Sequence, residues 1–307
     1  MVSTIVSTCA KALDYFFKKF LSEQTKNRVE FTILMVAIAT FVMHLVVIYL
    51  VDFNLIELND NSNLFINPIA AIYTPFSFIL IYEAYLLIYY LPRSITVYIG
   101  KQYEIMTLIL IRRLFKDLSD LKLTSDWFSI KGDMALTYDL ITSLLLFFLI
   151  YVFYSLNPQK EKIPEANPEV SDGKTLFIRL KKCIATLLVP VFFLMAVYSL
   201  IDWLSLTFFA PSRVSLENAP KLDGIFFNQF FMILILVDVL LLLISFLRTD
   251  RFSTVIRNSG FVISTILIKI SFGTEGFLNN VLVVVAVVFG VTILAIQKLY
   301  DRLGFNA

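Results

Sequence analysis

The chain has 307 residues, of which 58% are hydrophobic and only 16% charged, with 30 Phe, 14 Tyr and a formal net charge of +2. Soluble domains carry about 25% charged residues, and a water-exposed fold could not hide this much apolar surface. The balanced charge speaks against a global basic field for nucleic acid. The single histidine, with two cysteines far apart in the chain, Cys9 and Cys183, gives neither a disulfide framework nor a zinc site. The composition therefore describes an all-α, polytopic integral membrane helical bundle.

Residues 11 to 23 read KALDYFFKKFLSE. Leu13, Phe16, Phe17, Phe20 and Leu21 fall on one helical stripe, with Lys18 and Lys19 on the other side. This pattern predicts an amphipathic helix in the membrane interface over residues 1 to 29, held by Phe16, Phe17 and Phe20 in the acyl boundary and by Lys18 and Lys19 among headgroups. A helix packed on the protein's own face reads equally well. The segment lacks the apolar core and small-residue cleavage site of a signal peptide, so the first long apolar run is expected to stay as an anchor.

A helix needs roughly 20 apolar residues to cross about 30 Å of hydrocarbon. Residues 30 to 52, 69 to 91, 134 to 156, 184 to 204, 225 to 247 and 277 to 297 meet that requirement, and 254 to 270 follow as a shorter candidate. Residues 94 to 111 have the length of a span but contain Lys101, Gln102 and Glu104. Lys and Arg concentrate on the cytoplasmic side, so counting them tests the topology. If 94 to 111 cross, eight spans place 17 of the 26 Lys and Arg inside and 8 outside, with Lys101 within the span. If they do not, seven spans place 15 inside and 11 outside. The expectation is about eight spans, with seven as the alternative and both termini cytoplasmic, in a multi-pass cell-membrane protein.

Residues 157 to 175 contain three prolines and alternating charge, and read as part of a cytoplasmic linker over 157 to 183. It divides a first bundle, 30 to 156, from a second, 184 to 307. The halves show no internal symmetry of the kind common among inverted-repeat transporters.

Between Ser77 and Leu121 the chain is apolar enough for a bilayer yet carries Glu83, Arg93, Lys101, Glu104, Arg112 and Arg113. Pro92 marks a helix-breaking turn. Glu83 and Lys101 lie nine residues before and after it. In an antiparallel pair they share one depth, so a Glu83–Lys101 ion pair is expected, with Glu104 as a third member on the face of Lys101 and Tyr82, Tyr85, Tyr89, Tyr98 and Tyr103 around it. A charge at the bilayer centre costs about 2.5–3.5 kcal/mol on insertion scales, so these residues need partners or water. They either line an ion or proton pathway or fix how two helices pack.

His44 in the first span and Asp238 in LILVDVLLLL join Glu83, Lys101 and Glu104 as pathway candidates. Asp238 has no charged neighbour in sequence, so it needs a partner from another helix. Asp139 and Asp202 read as mouth or interface residues, Lys269 as a snorkelling lysine, and Pro75 and Pro190 as kinks. No HExxH, GxSxG or P-loop motif is present, and Tyr138–Asp139 lacks the second aspartate motif of an intramembrane aspartyl protease. The chain is expected to be no enzyme and to need no cofactor or metal. Its expected partners are the lipid bilayer, a small ion, and a further copy of itself or a membrane partner subunit; no nucleic acid is expected. The reading is a channel or transporter for a small ion or proton; the alternative is a non-transporting membrane subunit or scaffold.

Overall fold

A computed structural model describes residues 13–53, 71–119, 131–157, 172–209, 222–246, 252–274 and 276–303, and these residues form helices and turns. A short helix α1, residues 13–20, is followed by α2 (Glu23–Asp52), α3 (Tyr73–Tyr90), α4 (Ile95–Ser119), α5 (Lys131–Leu156), α6 (Asp172–Phe209), α7 (Leu222–Phe246), α8 (Phe252–Phe272) and α9 (Phe277–Arg302). Among the described residues, six helical stretches are long and apolar enough to cross a membrane: Leu13–Asp52, Met134–Leu156, Phe177–Tyr198, Gln229–Phe246, Phe252–Phe272 and Phe277–Arg302. On length and composition the described residues thus supply six of the roughly eight spans expected. α3 is a shorter apolar helix, and α4 contains Lys101, Glu104, Arg112, Arg113, Lys116 and Asp117.

Local chemistry explains several helix ends. Ser22 separates α1 from α2: its hydroxyl accepts from the Thr25 amide at 3.1 Å, an N-cap that satisfies a donor the first turn leaves open. Pro92 lies in the turn between α3 and α4, as expected, and the Arg93 amide donates to the Tyr90 carbonyl there. Gly276, at φ 65, supplies the left-handed residue that starts α9. Pro75 is the third residue of α3, not a kink in its middle, so its missing N–H falls among the donors a first turn leaves unpaired. Pro190 is inside α6. The linker expected over 157 to 183 is shorter than proposed: α6 begins at Asp172, because Phe177, Leu180 and Ile184 pack on the core and draw the helix back toward the N-terminus. Residues 158–171 lie outside the described residues.

Neighbouring helices alternate in direction. His44 meets Thr74 at one end of the α2–α3 pair and Glu30 meets Tyr82 at the other. Phe76 stacks on Phe115 at the far end of α3–α4, while Lys101 lies over the Tyr90 ring at the near end. Ser245 meets Asn258 and Phe231 meets Phe272 across α7–α8. The helices α3, α4, α5, α9, α8, α7 and α6 pack in that order into a ring that closes on α3, a contact between α4 and α8 crosses the ring, and α2 lies against α3 outside it. Helices of the two expected bundles thus share one packing arrangement.

The distribution of polarity is inverted relative to a soluble protein. Phe31, Phe147, Phe148, Leu144 and Leu236 are exposed, whereas Gln102, Asp139, Lys181, Asp238 and Asn280 are buried. Such a surface is stable against lipid and costly in water. Small residues allow close approach in the interior. A Cβ placed on Gly290 of α9 would collide with the Tyr103 hydroxyl of α4, one on Gly260 would meet Ile293, and one on Gly100 would lie 2.8 Å from the Tyr154 hydroxyl.

Candidate functional site

The most polar helix is among the most enclosed. On α4 the side chains of Thr96, Tyr98, Gln102, Tyr103 and Thr107 are buried, and its polar groups meet other helices at three levels. The pattern follows from packing: a helix surrounded by α3, α5, α8 and α9 can satisfy polar groups with neighbours instead of exposing them to hydrocarbon.

At the level nearest the α3–α4 turn, Lys101 Nζ donates to both carboxylate oxygens of Glu104, at 2.9 and 3.2 Å. The i,i+3 spacing stacks the two side chains on one helix face. Tyr154 of α5 donates to Glu104 Oε1 at 2.6 Å, and the Lys101 ammonium lies 5.1 Å from the Tyr90 ring centre. Glu83 lies within electrostatic reach of Glu104, Lys101 and Glu30. The cluster thus gathers three carboxylates and a lysine from three helices. Of the expected three-member network, Lys101–Glu104 forms a direct ion pair at 2.9 Å, and Glu83 lies within electrostatic reach of both. The expected tyrosine shell is different. Tyr82 donates to Glu30 at 2.6 Å, Tyr85 to the Phe20 carbonyl at 2.8 Å, Tyr89 accepts from Arg93, and Tyr103 bonds Ser264. Tyr90 and Tyr154, which the sequence reading missed, take the places beside Lys101 and Glu104.

The middle level is built on Asp238 of α7, whose partner does come from another helix. Gln102 Nε2 donates to Asp238 Oδ2 at 3.1 Å, and Thr265 of α8 donates to Gln102 Oε1 at 3.0 Å. All three side chains are buried, as are Tyr98 of α4 and Lys181 of α6. Tyr98 Oη lies in the same buried shell, close to both Asp238 and Gln102. Lys181 Nζ donates to the Arg93 carbonyl at 2.9 Å and feels the charge of Asp238. Lys181 was not among the expected site residues; its place in a basic run before an apolar one resembles ordinary flanking charge.

The third level, at the far end of α4, is a closed clamp. Both Arg113 Nε and Nη2 donate to Asp139 of α5, the latter at 2.6 Å. Arg113 also donates to Asn279 Oδ1 at 3.1 Å and Asn280 Oδ1 at 2.5 Å on α9, and Asn280 Nδ2 returns a bond of 2.6 Å to Asp139. Asn279 Nδ2 is used by the Ser271 carbonyl at 2.5 Å. Asp139 is therefore no water-facing mouth residue. It is 4% exposed and ties three helices together.

The remaining candidates lie apart from α4. His44 Nδ1 is 2.6 Å from Thr74 Oγ1, a bond between α2 and α3. In and just after α1, Phe17 and Leu21 are buried against the bundle, while Phe16 and Phe20 are exposed and stacked with centres 6.2 Å apart, and Lys18 and Lys19 are exposed. The expected single stripe is thus divided between the protein and its surroundings. Lys182 of α6 lies over the Phe17 ring at 5.2 Å. Among the described residues no group of His, Cys, Asp and Glu is placed to hold a metal ion.

No protein-family model, curated protein or solved structure matches the chain.

Proposed function

We propose that the protein is a channel or transporter that moves a small ion or proton across a membrane along the polar groups gathered by α4. In this reading α3 and α4 cross with the six longer helices, making eight spans. The start of α2 and the end of α9 then share one side, assigned as cytoplasmic by the excess of Lys and Arg there. α1 lies at that side's interface, with Phe16 and Phe20 toward lipid and Lys18 and Lys19 toward headgroups.

The observation that carries the reading is the enclosure of α4. Ionisable groups inside membrane bundles are costly and commonly mark ion or proton routes. Here Glu83, Lys101, Glu104 and Asp238 lie at two successive levels on or facing one interior helix. His44 is off that line, hydrogen-bonded between α2 and α3, and serves helix packing. Purified protein in liposomes should dissipate an imposed pH or voltage gradient. Replacement of Asp238 by Asn, or joint replacement of Glu83 and Glu104 by Gln, should abolish that flux. A wild-type protein inert under every gradient would defeat the reading.

The Arg113–Asp139 clamp favours a second reading. Its charges satisfy one another, as in a purely structural network, and α2 exposes Phe31, Met35, Ile38 and Met43 on a helix outside the ring. A non-transporting subunit would pack that face on a partner. Recovery of a stoichiometric partner, with no flux from the isolated chain, would support it.

A further inference from the structure

Asp238 is enclosed by groups of unequal character. From α4 come the Gln102 amide, which holds Oδ2, and the Tyr98 hydroxyl, which lies beside the carboxyl. From α8 comes Thr265, whose hydroxyl is directed to Gln102 Oε1 and to the Phe261 carbonyl at 3.0 Å each. From α6 comes the buried Lys181, with Arg257 of α8 acting on Lys181 in turn. This shell is ill suited to a metal cation, which needs several oxygen lone pairs turned inward. The Gln102 N–H points at the carboxylate and the Lys181 ammonium would repel a second cation.

The shell suits a proton. A tyrosine hydroxyl is both donor and acceptor. If Asp238 carries a proton, Tyr98 Oη offers lone pairs to that O–H, while Gln102 keeps its bond to Oδ2. If Asp238 is ionised, the Tyr98 O–H turns to donate to it, and its compensating charge is Lys181, which is anchored on the Arg93 carbonyl in the α3–α4 turn. The two states differ by one proton, taken from water and returned to it, with no other bond made or broken.

We infer that Asp238 and Lys181 form a buried proton-exchange couple, in which Asp238 reversibly binds the transported proton against Tyr98 and Lys181 balances the carboxylate when the proton leaves. The inference names the proton as the substrate and, for its part in transport, rests on the reading of α4 given above. It also assigns the α3–α4 turn a role. Lys181 is drawn toward Asp238 only in the ionised state, so proton loading changes the pull on the segment held through Arg93.

Infrared difference spectroscopy on the purified full-length protein in liposomes, titrated with pH, tests the couple directly. The expected result is a carboxylic acid C=O band that grows on acidification, persists in Glu83→Gln and is lost in Asp238→Asn. In Lys181→Met the midpoint of this band should move to higher pH, because removing the cation disfavours the carboxylate. A band unchanged by Asp238→Asn, or a midpoint moved to lower pH by Lys181→Met, overturns the inference. Proton flux measured on the same liposomes separates the claims. Wild-type flux that survives in Asp238→Asn refutes the couple and leaves transport standing. A titrating Asp238 band in a protein with no flux refutes transport and leaves the couple standing.

Discussion

The two ends of α4 hold their charges in different ways. At the far end Arg113 is matched by Asp139 in a bidentate pair, and Asn279 and Asn280 occupy further hydrogen-bonding positions. At the near end and middle, Glu30, Glu83, Glu104 and Asp238 come from four helices and share a dispersed network with Lys101, Lys181, Arg93 and Arg257, in which Lys101–Glu104 is the direct ion pair and Asp238 is held by a neutral amide. A closed network stabilises one helix arrangement, and changing its proton content would break it. A dispersed network, in which a carboxylate is held by a neutral amide and not by a bidentate cation, tolerates gain and loss of a proton. The difference assigns holding to one end of the helix and exchange to the other.

The largest effect should come from opening the closed end. Asp139→Ala leaves Arg113 and Asn280 without the buried carboxylate; with Arg113 itself 32% exposed, the loss falls toward the lower end of the about 3–5 kcal/mol that breaking a fully buried pair costs. Unfolding in detergent followed by circular dichroism should show that loss, and the double variant Arg113→Met, Asp139→Ala should recover part of it. If Asp139→Ala and Lys101→Met destabilise equally, the contrast between the ends fails.

Next comes the packing that holds α4 in place. Gly290→Val would drive a side chain into Tyr103 and break its 2.8 Å bond to Ser264. Overpacking of this kind costs about 1–3 kcal/mol, measurable in the same unfolding assay. A neutral outcome would show that α9 does not press on α4 there.

Smaller still is Tyr154→Phe. It removes one hydrogen bond to a half-exposed Glu104, worth about 1 kcal/mol, and should alter flux more visibly than stability. Lys101→Met should be the mildest, within about 1 kcal/mol, since it breaks an i,i+3 pair on a single helix and Glu104 keeps its bond from Tyr154. A stability loss as great as that of Asp139→Ala would place Lys101 in a holding role instead.

The helical bundle was legible because apolar runs of the right length leave few alternatives, and Pro92 marked the α3–α4 turn through its missing donor. The depth of Glu83 and Lys101 was legible for the same reason. The neighbours that the other helices bring to this cluster were not, since counting from a turn gives height along a helix but not the side on which a residue faces its neighbour. Lys101 found Glu104 on its own face, and Tyr154, fifty residues on, came from a helix whose azimuth no local pattern specifies. Asp139 looked like a mouth residue because Arg113 precedes it by 26 positions and Asn279 and Asn280 carry no charge to draw the eye. Lys181 was hidden for a related reason: basic residues before a span ordinarily face water.

Sidedness of α4 tests the central claim most directly. In a Cys9→Ser, Cys183→Ser background, single cysteines replace Ser94, in the α3–α4 turn, and Leu118, exposed at the other end of α4. They are treated with a membrane-impermeant maleimide in sealed, uniformly oriented vesicles before and after permeabilisation. The account predicts that one site reacts in sealed vesicles and the other only after permeabilisation; reaction of both from the same side would contradict it.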